Sequence, residues 1–144
     1  MTNPYARQNK SRKVEVKPKQ PSEDQIQMAV VQYLELQKYK DRPLSYYAVH
    51  VPNGGRMTAR MGNKLKKMGV QAGYCDMLID IPRGKFHGLR LELKVEKGGI
   101  VSAAQKERIT VLLEEGYQAV VCRGYDKTVE AIEEYMALGA FKQQ

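Results

Sequence analysis

The fold is decided by residues 73–99, "GYCDMLIDIPRGKFHGLRLELKVEKGG". Residues 76–81 and residues 89–96 have the composition and alternation of strands, and residues 82–88 between them are typical of a turn. We therefore predict a β-hairpin. Along its second strand, leucine and valine alternate with charged residues, so the apolar and charged side chains face opposite sides of the sheet.

The charged side of this hairpin carries two carboxylates and a lysine. If the apolar sides pack in a core, Asp76 and Glu92 project from the same side of neighbouring strands. Paired strands lie about 4.8 Å apart, so both carboxylates can converge on one cation, with Lys94 about 6.6 Å along the same face from Glu92. A half-exposed strand with a solvated charged face shows the same alternation. The residues of the hairpin alone leave both interpretations open.

Helix and strand signals surround the hairpin. Ser22 and Ser102 each begin a capping box, which Gln25 and Gln105 complete three residues later. The other predicted elements are helices at residues 22–39, 56–68, 102–116 and 126–138, and strands at residues 44–52 and 117–123. This mixed order predicts an α/β fold with helices packed around a mixed sheet.

The positive charge is unevenly distributed along the chain. The net charge is +8; residues 1–20 hold six Lys or Arg and one acid, and residues 50–75 hold five Lys or Arg and no acid. Such asymmetry indicates a polyanion partner, of which nucleic acid is the usual case. A solubility charge with a basic tail is the alternative. We predict a disordered basic arm at residues 1–20 and one domain at residues 21–144.

The sequence gives no support for a membrane protein or a secreted protein. No run approaches the roughly 20 apolar residues of a membrane-spanning helix, and residues 1–24 lack the apolar segment of a secretory signal. Cys75 and Cys122 suggest neither a disulfide framework nor a zinc site. We expect no membrane association and a cytoplasmic location.

The predicted helix at residues 56–68 has two stripes. Methionine and leucine form one stripe, and basic residues form the other: Met57, Met61, Leu65 and Met68 against Arg56, Arg60, Lys64 and Lys67. An ordinary amphipathic helix packed on a core shows such stripes. The acid-free surroundings favour contact of Arg56, Arg60, Lys64 and Lys67 with nucleic-acid phosphates. A basic rim above an acidic metal site is what phosphodiester hydrolysis requires. His50 could line such a cleft, but the chemistry needs no histidine.

Several stretches together resemble the VRR-NUC domain, the virus-type replication-repair nuclease of the PD-(D/E)xK superfamily. They are "SEDQIQMAVVQYL", "VPNGG", "GVQAGYCDMLID", "LELKVEKGGIVSAAQ" and "GYQAVVCRGYDKTVEAI". The resemblance covers roughly residues 22–136. It implies a restriction-endonuclease-like αβββαβ core, with an extra helix after the first strand, and it is closest to the stand-alone phage and bacterial type.

The resemblance also implies roles for residues of the hairpin. Asp76 and Glu92 would be the metal-binding carboxylates, and the backbone carbonyl of Leu93 would be a further metal ligand. Lys94 would orient or activate the attacking water and offset developing charge. The implied cofactor is Mg²⁺, with Mn²⁺ as a substitute.

Further residues take roles only through the resemblance. Glu23 would complete the acidic site, and Gln105 matches the glutamine on the helix after the core motif. Asn53 and Arg56 would lie on the substrate side. Where the superfamily has a proline before the first aspartate, this chain has Cys75, which either fills a small space or adds thiol sensitivity.

The expected function is a metal-dependent, structure-selective DNA endonuclease that acts as a homodimer on branched DNA such as four-way junctions, with no small-molecule substrate. Two alternatives stay open. A non-catalytic nucleic-acid-binding module of the same fold would keep the basic surface but would not need Asp76, Glu92 and Lys94 together. A sequence-specific restriction-type endonuclease would need more base-reading elements than this chain of 144 residues offers. A protein-binding scaffold explains the acid-free basic segment least well.

Overall fold

The computed structural model describes residues 17–52 and 57–143. Its helices are α1 (Glu23–Leu36), α2 (Ala59–Lys67), α3 (Ala103–Glu114) and α4 (Gly124–Ala137), with a 3₁₀ turn at Leu44–Tyr47. Its strands are β1 (Lys38–Tyr39), β2 (Arg42–Pro43), β3 (Ala48–His50), β4 (Met77–Ile79), β5 (Leu89–Lys94) and β6 (Gln118–Arg123). None of the helices in this part of the chain combines the length and the apolar character that crossing a membrane requires.

A four-stranded mixed sheet forms the centre of the fold, in the order β3-β4-β5-β6. The first three strands pair antiparallel, and β5 pairs with β6 in parallel. The predicted hairpin is β4 and β5, with Met77 opposite Leu91. The α/β class and the mixed sheet flanked by helices are therefore confirmed.

Helices cover both faces of β5. On one face, α1 and α4 pack against the leucines of the strand, in a core that includes Ile26, Val30, Leu34, Leu89, Leu91, Leu93 and Ile132. On the other face, Leu112 of α3 packs with Cys75 and Ala119. Every residue of β5 is consequently buried, including the charged ones. The interpretation of the charged face as solvated is wrong, because Glu92 contacts Gln105 of α3, Arg90 contacts Tyr117 and Lys94 contacts Glu23 of α1.

Several boundaries differ from the sequence-based expectation; helix α2, predicted at residues 56–68, spans Ala59–Lys67. Helix α1 ends at Leu36 rather than near residue 39, because Lys38–Tyr39 turns back to pair with Arg42–Pro43. The aromatic run at Leu44–Tyr47 forms a 3₁₀ turn, so the predicted strand at residues 44–52 is reduced to Ala48–His50. Helix α4 begins at Gly124, directly after β6, instead of at residue 126.

Capping explains where two of the helices begin. Ser22 and Ser102 each accept a hydrogen bond from the backbone N–H three residues later, and Gln25 and Gln105 accept one from the serine N–H in return. Both predicted capping boxes are thus present. They fix the first turns of α1 and α3 beside the C-terminal end of β5.

The predicted basic arm falls mostly outside the described residues, which begin at 17. Residues 17–20 are exposed. Gln20 exchanges two hydrogen bonds with the backbone of Lys97, at 2.8 Å and 3.1 Å, so this part of the chain lies against the loop after β5.

Candidate active site

Asp76 and Glu92 meet at the β4–β5 pair. Because Met77 is opposite Leu91, the preceding residue, Asp76, is level with Glu92 on the adjacent strand. The Asp76 Oδ2 atom accepts a hydrogen bond of 2.7 Å from the backbone N–H of Leu93. The two carboxylates therefore lie on the same side of the sheet, next to the backbone of Leu93.

Glu92 is a buried carboxylate with only part of its hydrogen bonding satisfied. It is 1% exposed. Its Oε1 atom accepts from the Lys94 ammonium at 3.1 Å and, through a short hydrogen bond, from the Gln105 side-chain amide. Its Oε2 atom is buried and has no hydrogen-bond partner among the described residues. A buried oxygen in this condition is costly unless a further cationic or donor group approaches it.

Lys94 and Glu23 complete the charged group. Lys94 is 7% exposed, and its ammonium lies 3.9 Å from the Glu23 Oε1 atom as well as close to Glu92. Glu23 is the first residue of α1, directly after the capping residue Ser22, so the start of this helix carries it to the edge of the site. The structure thus brings together Asp76, Glu92, Lys94, Glu23 and Gln105.

The electrostatics show a shortage of positive charge. Burial, and then the charge of Asp76, raise the pKa of Glu92 to about 7, although Lys94 opposes the rise. Burial also raises the pKa of Asp76, against the lowering effects of the Leu93 hydrogen bond and of Lys94. One lysine does not offset the two buried carboxylates, so the site favours an additional cation.

The donor set fits a hard divalent cation that keeps part of its water. Among residues 17–52 and 57–143, no group of three or more His, Cys, Asp or Glu side chains is arranged to hold a metal ion. Mg²⁺ is commonly bound through one or two carboxylates, with water and substrate phosphates as its other ligands. Asp76 and Glu92, with the unpartnered Glu92 Oε2 atom, supply that minimum.

The helix start beside Glu92 is held tightly in place. The side chain of Gln105 both caps Ser102 and donates to Glu92, so one residue serves the helix and the site. Gly73 has a positive φ of 77°, and a Cβ atom there would lie 2.7 Å from the backbone carbonyl carbon of Ala104. The chain entering Asp76 therefore packs directly on the first turn of α3.

His50 and Cys75 flank Asp76. The His50 Nδ1 atom is 2.9 Å from the Asp76 carbonyl oxygen, and β3 pairs His50 with Met77. His50 thus lines the site, although its contact is with backbone. Cys75 is fully buried, and burial raises the pKa of its thiol to about 12. This favours the space-filling interpretation of Cys75 over thiol sensitivity.

Arg90 is the residue near the site that sequence reasoning did not single out. It shares the face of Glu92, is buried, and lies 4.4 Å from the centre of the Tyr117 ring and 3.4 Å from Asp80. The alternation along the second strand of the hairpin predicts that Arg90 shares a face with Glu92, but nothing in the sequence indicates that Tyr117 is its partner.

The residues assigned to nucleic acid lie on or before α2. Arg60, Lys64 and Lys67 are exposed on this helix. Asn53 and Arg56 lie outside the described residues, so their predicted roles stay predictions.

Comparison with known proteins gives an informative likeness. A solved structure described as a "VRR_NUC domain protein" matches with 43% sequence identity and a TM-score of 0.79, over 87% of this chain and 96% of that chain. No family model matches the chain, and no curated protein does.

Proposed function

This chain belongs to the VRR-NUC family and is a nuclease-type domain, and we propose that it hydrolyses phosphodiester bonds in branched DNA with the help of a divalent cation. The observation that carries the proposal is the Glu92 carboxylate, which is 1% exposed and has an unpartnered oxygen beside Asp76 and Lys94. A binding module without chemistry would have no need to bury this incompletely satisfied charge.

Asp76, Glu92 and the backbone carbonyl of Leu93 would hold the cation, Mg²⁺ or Mn²⁺ as its substitute. When bound, such an ion neutralises charge on the phosphate and lowers the pKa of a water molecule. The raised pKa values of Asp76 and Glu92 support this role, because both carboxylates gain from an added positive charge.

Lys94 would orient the attacking water and offset the negative charge that develops on the phosphate. Its ammonium is 3.1 Å from Glu92 and is largely shielded from solvent, so its charge acts at short range with little screening. Glu23, 3.9 Å from this ammonium, would help to fix the direction of the lysine side chain. Gln105 holds the Glu92 carboxylate from the other side.

Arg60, Lys64 and Lys67 would contact the DNA backbone. Phosphate contacts position a duplex but carry no sequence information. This supports selectivity for DNA structure over selectivity for sequence.

The proposed active unit is a homodimer. One site of this kind cuts one strand, and symmetric scission of a four-way junction needs two sites. A two-fold dimer is the common arrangement that supplies them.

The test is cleavage of a four-way junction, a flap, a splayed arm and a linear duplex, each with Mg²⁺ and with EDTA. The wild type is compared with Lys94→Ala and with Lys127→Ala, a matched loss of an exposed lysine on α4. Lys94→Ala should lose about 10²- to 10³-fold in rate, the range seen when one transition-state donor is removed, and Lys127→Ala should not.

Three results would contradict the proposal. Cleavage in EDTA would contradict the metal dependence. Equal cutting of all four substrates would contradict the selectivity for DNA structure, and an undiminished Lys94→Ala rate would contradict the assignment of the active site.

A further inference from the structure

An apolar stripe on α2 and just beyond its two ends is left at least partly exposed by the described residues. Met57, Met61 and Met68 are 45%, 48% and 70% exposed, and no residue of α2 is buried. Leu65, between them, is partly exposed. The interpretation of this stripe as one that packs on the core is wrong. Large apolar side chains exposed near one another on a surface are typical of a binding surface.

The chain contacts the active site both before and after α2. Before the helix, the N–H of Val51 donates to the carbonyl of Asp76 at 2.8 Å. After it, Gly73 packs on Ala104, the neighbour of Gln105. Gly73 follows Met68 by five residues, which span at most roughly 17 Å. That length corresponds to about five base steps along a DNA strand, so α2 can reach the DNA next to the bond that is cut.

The charges of α2 favour DNA over a second copy of the chain as the partner of the stripe. Arg60, Lys64 and Lys67 each directly precede a residue of the apolar stripe, so a basic stripe runs beside it, about 100° around the helix. Helix α2 contains no acid. Packing α2 on the same helix of a second copy would bring two basic stripes together. DNA offers phosphates for the basic stripe and base faces for the apolar one.

We propose that the stripe of Met57, Met61, Leu65 and Met68 contacts unstacked bases at the branch point of the DNA. The inference rests on the proposed function and deepens it, because it names the residues that distinguish branched from linear DNA. A continuous duplex holds its bases in one unbroken stack, whereas the base pairs beside a branch point lack a continuous neighbour and unstack at lower cost. Methionine and leucine are among the apolar side chains that insert between base steps, and the flexible thioether adapts to irregular surfaces.

The test is the double substitution Met61→Gln with Met68→Gln. Glutamine is similar in length, equally unbranched and a comparable helix former, so it removes apolar character and leaves every basic residue in place. The matched control is Met28→Gln on α1, where the side chain is 59% exposed. Both proteins should melt at the wild-type temperature, because none of these side chains is buried.

Cleavage of the four-way junction should fall about tenfold in the double variant, because the apolar area of two methionines no longer covers base faces, and cleavage of the linear duplex should not change. A 2-aminopurine base at the branch point, with Ca²⁺ in place of Mg²⁺, should change its fluorescence with the wild type and with Met28→Gln. The double variant should lose most of that change. The salt dependence of its binding should persist, because the phosphate contacts remain.

The outcomes separate this inference from the proposed function. If the wild type does not prefer branched DNA, the proposed function fails first. If the wild type does prefer branched DNA and the double variant keeps that preference, the stripe does not distinguish branched from linear DNA. In that case the inference fails and the proposed function stands. A change from dimer to monomer in sedimentation of the double variant would assign the stripe to a second copy, and would also overturn the inference.

Discussion

Replacing Glu92 by glutamine is expected to stabilise the fold while abolishing cleavage. Burial and the charge of Asp76 raise the pKa of Glu92 from 4.5 to about 7. The folded protein therefore holds this proton more tightly than the unfolded chain does, and the carboxylate destabilises the fold increasingly as the pH rises through this range. Glutamine has nearly the same shape, and its amide oxygen can still accept from Gln105 and Lys94.

The size of the effect follows from the two pKa values. Below pH 4.5 Glu92 is protonated in both states, so the variant gains almost nothing. At pH 5 the unfolded chain has begun to ionise, and the gain is about 1 kcal/mol. Above pH 7 the gain reaches its full value of about 3 kcal/mol. The gain in stability is thus largest under the conditions in which the nuclease is expected to work, as is common for residues kept for function.

Urea unfolding in EDTA, at pH 5 and at pH 8, measures this difference. The chain has no tryptophan, so far-ultraviolet circular dichroism is the suitable signal. Glu130→Gln is the control, because this exposed carboxylate forms an ion pair with the exposed Lys127 and should change stability by less than about 1 kcal/mol at either pH. A Glu92→Gln effect that is the same at pH 5 and pH 8, or that destabilises at pH 8, would refute the reasoning.

Three further results are expected. Mg²⁺ should raise the melting temperature of the wild type but not of Glu92→Gln, since only a ligand bound to the folded state stabilises it; equal shifts would place the ion elsewhere. Gly73→Ala should cost at least about 2 kcal/mol, because its φ is positive and Ala104 blocks the new Cβ atom; Gly98→Ala, with a φ of 88° and no atom within 4 Å, should cost clearly less in the same thermal melts. Tyr135→Phe should cost about 1–2 kcal/mol through the lost 2.7 Å hydrogen bond to Ile81, and an unchanged cleavage rate would separate stability from activity.

The hairpin and the starts of α1 and α3 could be predicted because their signals are local. The alternation along residues 89–95 fixes which side chains share a face, and a serine followed three residues later by glutamine fixes the first turn of a helix. The aromatic run at Leu44–Tyr47 was misleading, because its residue types favour strands, whereas here it forms a 3₁₀ turn with Leu44 packed in the core.

The environment of the site could not be predicted from the hairpin. An alternating charged face looks the same whether water or a helix covers it, and it is the packing of α3 that buries Glu92 and gives it the Gln105 contact. The apolar stripe of α2 was ambiguous in the same way, but here the side chains are exposed instead of buried. Periodicity shows which residues share a face of a helix, but only the tertiary structure shows that the described parts of the chain bury no residue of this one.

The two cysteines make the chain convenient for site-directed labelling. Cys75 and Cys122 are the only cysteines in the sequence. Both are buried, with thiol pKa values raised to about 12 and about 11 by that burial, so neither offers appreciable thiolate to a maleimide at neutral pH. A single new cysteine on an exposed position would therefore be the one reactive thiol of the native protein, and a dye or spin label attached there would report distances to DNA without any background substitution.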